Sequence, residues 1–285
     1  MSLITACARL LEEAPDAFRS EVRTGLDAGL PQPEALTEAA EALLPGAGPL
    51  LRQPNSLLAV HYLRAMLRHR LHMDFLPAPR SADHRDTQIR GRTASASALR
   101  SALERGDWLR IAPAMPEASF ALLRREALEG RLHRPAALDQ ALAARLRLMT
   151  EAEWAALPGC SEGIERRLRK ASRHAVTREA LLEAAATRRY PRARFSRLCC
   201  HALLGLTQAD LDGLPVMPPL ILLGLKDSGK PVLARLKERG VPLAGRAALD
   251  RSLPWVRAEE RAWDLWALGV GAPCGGFYRQ KLVRV

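Results

Sequence analysis

Helical spacing punctuated by proline and glycine governs this sequence from Leu3 to about Leu204 and leaves little room for a sheet. Leu3, Ala6, Leu10 and Leu11 share one face of a first helix that Pro15 ends. Asp16 is placed to cap a second helix to about Ala28, with Phe18, Val22 and Leu26 inward and Gly29 as its stop. Residues 33–44 read as a third helix, broken by Gly46, Gly48 and Pro49. Asn55 is expected to cap a fourth, buried through Leu58, Tyr62, Leu63, Met66 and Leu67. After Gly106 the helical pattern resumes, with breaks at Pro113, Pro116, residues 130–135 and Pro158-Gly159. The one strand candidate in this region is residues 71–77, short and proline-ended. A lone strand leaves its backbone donors and acceptors unpaired, so it reads as the edge of a sheet whose other strands lie elsewhere. The character changes near residue 216. Leu220-Ile221-Leu222-Leu223 reads as a buried strand, residues 232–238 as a helix, Val241-Pro242-Leu243 as a second strand, and residues 258–268 as a helix carrying Trp263 and Trp266.

The densest feature is basic. Arg188, Arg189, Tyr190, Arg192, Arg194 and Arg197 fall within the eleven residues 187–197. Proline suits the first helical position, so a helix is expected from Pro191, with Phe195, Leu198, Cys199, Ala202 and Leu203 as its buried face. Arg194, Arg197 and His201 form a second stripe beside it. Cations at a helix N-terminus oppose the helix dipole, which a negatively charged partner would offset. A solvated basic face is the plain alternative. A second basic segment, with Arg166, Arg167, Arg169 and Lys170 and then Arg173, His174 and Arg178, gives the cluster company. Clustering of one sign over two helices is what a track for a phosphate backbone requires.

Composition agrees with a polyanionic partner: 43 Lys and Arg against 31 Asp and Glu give a net charge of +12 over 285 residues, and 48% hydrophobic content is ample for a core. Five cysteines, none spaced C-x-x-C, indicate neither a disulfide framework nor a zinc knuckle and read as reduced, buried thiols. With no membrane-length apolar run and no signal pattern, a cytoplasmic protein is expected. Ser95 and Ser97 sit where a helix begins and Arg100 one turn later, an arrangement suited to a phosphate, with ordinary serine capping as the alternative. Residues 224–231 nearly spell a P-loop, but Pro231 stands where a magnesium-binding hydroxyl is needed and removes a donor.

Several separated stretches match one pattern in order. Gln53-Pro54-Asn55-Ser56-Leu57-Leu58-Ala59-Val60-His61-Tyr62-Leu63 is similar to Pro-Asn-x-x-Leu-x-x-x-Tyr-Leu, and residues 94–100 to Ser-Ala-Thr-x-Ile-Arg. Glu162-Gly163-Ile164-Glu165-Arg166-Arg167-Leu168 is similar to Glu-Gly-x-Glu-Asn-Arg-Leu, residues 187–197 to Thr-Lys-Arg-Tyr-Thr-x-x-Arg-x-x-Arg, and residues 223–229 to Leu-Gly-Phe-Asn-x-x-Gly. The combination resembles the bacterial tRNA(Met) cytidine acetate ligases of the nucleotidyltransferase superfamily.

That resemblance implies ATP-dependent N4-acetylation of the wobble cytidine of elongator tRNA(Met) through an acetyl-adenylate. ATP with Mg2+ and acetate would be the small substrates, with no protein-bound metal and tRNA as the partner. Asn55 and Arg80, with Ser95, Ser97 and Arg100, would contact the nucleotide. Arg166, Arg167, Lys170, Arg188, Arg189, Tyr190, Arg192, Arg194 and Arg197 would hold tRNA. The resemblance begins downstream of the family's His-x-Gly-His lobe, so the expected fold is mainly α. Its parts would be the remnant of an α/β nucleotidyltransferase domain over residues 1–105, a helical tRNA-binding domain over 106–215 and a small α/β appendage over 216–285. A tRNA-binding protein without ATP chemistry is the competing expectation, and a protein-interaction scaffold the third.

Overall fold

The computed structural model describes residues 2–78, 86–187 and 190–284. They form two compact units, Met1–Ala114 and Met115–Val285. Both are mainly helical, as the periodicity requires.

The first unit holds α1 (Leu3–Glu13), α2 (Asp16–Asp27), α3 (Gln32–Leu43), α4 (Ala47–Arg52), α5 (Pro54–Arg68), α6 (Ala96–Glu104) and α7 (Trp108–Ile111). The Ser2 hydroxyl caps α1 by accepting the Thr5 N–H. Small residues fill much of the core: Cys7, Ala8, Ala39, Ala40 and Ala47 pack with Phe18, Leu51, Val60 and Leu63. Glu12 ties α1 to α5 by accepting from Arg64 at 3.2 Å and from Arg68 at 2.7 Å.

Several local expectations are corrected here. Pro15 and Gln53 occupy the cap positions, so Asp16 and Asn55 fall inside the first turns of α2 and α5. In α5 Pro54 takes the first helical position and pre-sets the backbone there, whereas in α2 Pro15 stays extended at the cap and the helix starts at Asp16 itself. The third helix ends at Leu43 and Gly46 lies in the break, as expected, but Gly48 and Pro49 fall inside α4, which follows at once. Gly46 turns the chain at φ +87°, and the Glu41 carboxylate accepts the N–H groups of Gly46 at 3.1 Å and Gly48 at 2.6 Å in place of a cap. Leu26, Leu58, Tyr62 and Leu67 are exposed, whereas α5 buries Val60 and Leu63. Residues 71–77 are not a strand. Among the described residues no second strand lies beside them, and Phe75 alone packs against the core.

The second unit contains α8 (Glu117–Leu128), α9 (Pro135–Leu148), α10 (Glu151–Ala156), α11 (Ile164–Ser172), α12 (Arg178–Ala185), α13 (Arg192–Leu204), α14 (Gln208–Asp212), α15 (Lys230–Glu238) and α16 (Pro254–Val270). Its main core joins α9 to α13 through Leu142, Leu146, Trp154, Ile164, Leu168, Leu182, Phe195, Leu198 and Cys199. Four two-residue strands complete it: β1 (Leu220–Ile221), β2 (Gly224–Leu225), β3 (Leu243–Ala244) and β4 (Val283–Arg284). β1 pairs with β3 and β2 with β4, both parallel. Leu220 and Leu223 are 50% and 55% exposed, so the expected buried strand is a short surface pair instead. A second core of Leu249, Val256, Phe277 and Tyr278 lies under it. Cys200 and Cys274 are exposed, which corrects the expectation that all five thiols are buried. Among the described residues no helix is long and apolar enough to cross a membrane.

Candidate nucleic-acid interface

The two basic stretches meet in space. Pro191, extended at φ −68° and ψ 152°, stands at the cap position and α13 begins at Arg192, one residue later than expected. The expected face of α13 is the buried one: Phe195, Leu198, Cys199 and Ala202 are in the core and Leu203 packs against it. Burial pushes the Cys199 thiol up to about 12 and the half-buried Cys160 thiol up to about 11.

The stripe beside that face grips the turn that leads into α11. Arg194 donates to the Ser161 hydroxyl at 2.8 Å and to the Gly159 carbonyl at 3.4 Å, with its guanidinium 5.4 Å from the centre of the Tyr190 ring. His201 Nδ1 donates to the Pro158 carbonyl at 3.1 Å. The Tyr190 hydroxyl donates to Glu162 at 3.0 Å. Glu162 and Gly163 both take left-handed backbone, φ +59° and +77°, which sharpens the entry into α11.

The nine residues expected to hold tRNA therefore divide by role. Arg167 donates to the Ala185 carbonyl at 2.6 Å, completing the end of α12 where the helix dipole is negative. Arg192 pairs with Glu179. Arg194 and Tyr190 fix the turn. The side chains of Lys170 and Arg197 are exposed and make no hydrogen bond or ion pair with the other described residues, as is also true of that of Arg173. Arg166 is 91% exposed, with only the adjacent Glu165 at 3.9 Å. Arg188 and Arg189 lie outside the described residues.

The expected nucleotide residues fall in the first unit. Ser95 caps α6, its hydroxyl accepting the Ala98 N–H at 2.9 Å and donating its proton to the Asp86 carbonyl at 2.5 Å. Ser97 is half-buried in the first turn of α6, Arg100 is exposed one turn on, and Asn55 is exposed in the first turn of α5. Arg80 lies outside the described residues. Sequence reasoning missed a cleft of about 320 Å³ at the other end of α6, where Arg105 and Arg110 face Thr87, Gln88 and Ser101. Gly106 between the arginines, at φ +68°, is the one local signal for the turn that brings them together.

The chain is similar to known proteins. A family model described as HIGH nucleotidyl transferase matches residues 1–268. The tRNA(Met) cytidine acetate ligase of Limosilactobacillus reuteri is 27% identical over 235 residues, covering 81% of this chain and 61% of its own length. That of Acetivibrio thermocellus is 28% identical over 251 residues, covering 83% and 60%. The chain thus spans about 60% of the length of these curated relatives. Two crystal structures of Thermotoga maritima TmcAL, one apo and one bound with alpha-thio ATP, match with TM-scores of 0.81 and 0.82 at 22% and 21% identity. They cover 99% of this chain and 74% and 73% of their own. At such identity the likeness is one of fold.

Proposed function

The chain belongs to the HIGH nucleotidyl transferase family, and from that premise we propose that it serves ATP-dependent acetylation of the wobble cytidine of elongator tRNA(Met), with its own basic helices holding the tRNA. The observation that carries this reading is the junction of α11 with α13. Tyr190 on Glu162 and Arg194 on Ser161 join the two basic stretches, and Arg166, Lys170, Arg173 and Arg197 of those stretches are exposed. Exposed guanidinium and ammonium groups that release counterions from phosphates supply affinity without sequence readout.

In this reading residues 106–215 hold tRNA, residues 1–105 belong to the nucleotide side and residues 216–285 form an α/β appendage. Asn55, Ser97 and Arg100, together with Arg80, contact the nucleotide, and Ser95 keeps the start of α6 in place for them. These residues fit a phosphate-bearing group, since α6 opens with donors and Arg100 follows on its surface. Bound ATP, with Mg2+, would supply the leaving group that a free carboxylate lacks. The chain's own part is to bind and orient.

The test is mass spectrometry of elongator tRNA(Met) after incubation with the protein, ATP and acetate, alongside a binding assay. N4-acetylcytidine at the wobble position is the expected product. Binding without acetylation would reduce the reading to a tRNA-holding protein, and absence of binding would remove it.

A further inference from the structure

Residues 216–285 carry twelve Lys and Arg against six Asp and Glu, half of the chain's net +12 in about a quarter of its length. No part of this segment belongs to the surface described above, yet its long helix is fixed to the same helical bundle at the far end of α13 and at the start of α9. Arg261 of α16 donates to the Gly205 carbonyl, the residue that ends α13, at 3.3 Å. The Arg134 N–H, directly ahead of α9, donates to the Gly269 carbonyl near the other end of α16 at 2.7 Å.

On α16 the rings of Trp263 and Trp266 lie 5.2 Å apart, tilted by 48°. Trp263 packs on the second core, while Trp266 is 50% exposed. The guanidinium of Arg246 sits 5.4 Å from the centre of the Trp263 ring and 5.3 Å from that of Phe277. It pairs with no carboxylate among the described residues, and its Nε is buried without a hydrogen-bond partner. A cation held on aromatic faces keeps its charge available to an anion. An exposed indole braced by a second ring offers a π-face to a planar ligand.

We propose that the Trp263–Trp266 face of α16 is a stacking platform for an unpaired nucleobase of RNA, with Arg246 as the neighbouring cation for its phosphate. This rests on the reading that α11 to α13 hold tRNA, and adds a contact of another kind. Charge alone follows a backbone whether the RNA is paired or not, whereas stacking needs a base free of its duplex. The thirteen residues of α13 span about 20 Å between the basic turn at its start and the end where α16 docks, so one RNA can touch both.

The test compares wild type with Trp266→Ala, Trp266→Leu and Trp266→Phe for binding to a short unstructured oligocytidine RNA, to a fully paired RNA duplex and to tRNA(Met). Circular dichroism checks each fold. The Ala and Leu variants are expected to bind oligocytidine roughly 5- to 100-fold more weakly. The Phe variant should stay near wild type, duplex binding should be unchanged, and the salt dependence should keep its slope. Equal affinity of the Leu variant and wild type for oligocytidine would overturn the proposal, as would an equal loss on the duplex. So would a loss that tracks a change of oligomeric state in sedimentation, which would make this face a protein contact. If Arg166→Ala and Arg197→Ala weaken tRNA binding while the Trp266 variants do not, the stacking platform alone is wrong. Wild-type protein that binds no RNA would overturn both readings.

Discussion

The guanidinium of Arg194 donates to the hydroxyl of Ser161 at 2.8 Å, so α13 holds the turn that opens α11, 33 residues earlier in the chain. This contact separates two kinds of arginine within one basic cluster. Arg194→Ala is expected to lower stability by about 1 kcal/mol, the usual net worth of a hydrogen bond. Arg166→Ala combined with Arg197→Ala should leave stability within about 0.5 kcal/mol, since neither side chain is held by the fold. The double variant should instead weaken tRNA binding and reduce the slope of log affinity against log salt by up to about 0.9 per lost contact. Urea melts and binding across salt concentrations read the two effects apart. A double variant that melts early would make these arginines structural.

Gly163 takes φ +77° at the start of α11, and a Cβ built there meets nothing within 4 Å. The cost of Gly163→Ala is therefore conformational and not steric, about 1–2 kcal/mol. Gly163→Asn should recover part of it, because asparagine tolerates left-handed backbone. Equal stability of all three proteins in denaturant would show that the turn relaxes.

Acid should loosen the first unit. Hydrogen bonds from Arg68, chiefly, hold Glu12 below its ordinary value of 4.5, and the Gly46 and Gly48 N–H groups do the same for Glu41. With the folded values lowered, the unfolded chain takes up protons first as pH falls. The stabilisation is complete above about 4.5 and is lost as pH drops through the lower folded values. Glu41→Gln should melt earlier than wild type at neutral pH, and the gap should narrow toward acid. Thermal melts that stay parallel across pH would contradict this.

Adjacent thiols should react very differently. Cys199 is buried with its thiol pushed up to about 12, while Cys200 is exposed. Alkylation of the native protein at mildly basic pH should modify Cys200 and Cys274 and spare Cys7, Cys160 and Cys199, as peptide mass spectrometry would report. Rapid labelling of Cys199 would mean that α13 opens readily.

Trp154 is 2% exposed in the main core of the second unit, and its Nε1 has no hydrogen-bond partner. Trp154→Ala should cost about 3–5 kcal/mol through the cavity it leaves. Trp154→Phe should cost markedly less, since it keeps most of the packing and removes a buried donor that nothing satisfies. Equal losses in the two variants would mean that the indole N–H does find a partner.

Periodicity, and the cap at Ser95 though not those expected at Asp16 and Asn55, were readable without a structure because they depend on residues a few positions apart. The buried face of α13, the Ser95 cap and the helical course from α1 to α13 all follow from spacing along one element. The motif resemblance likewise reached the HIGH nucleotidyl transferase family, which matches residues 1–268. Other features were decided only by tertiary packing. The sequence marks Leu58 and Tyr62 as apolar, but it is the position of α1 and α4 that makes α5 bury Val60 and Leu63. It marks residues 71–77 as extended, but a strand exists only where another lies beside it. Arg194 and His201 look alike on a helix diagram with Arg197. Yet Ser161 and Pro158, 33 and 43 residues away, take up the first two and leave the third in solvent. A side chain's helical position is fixed by its neighbours in sequence, but its partner is fixed by whichever distant backbone the core brings within hydrogen-bonding reach.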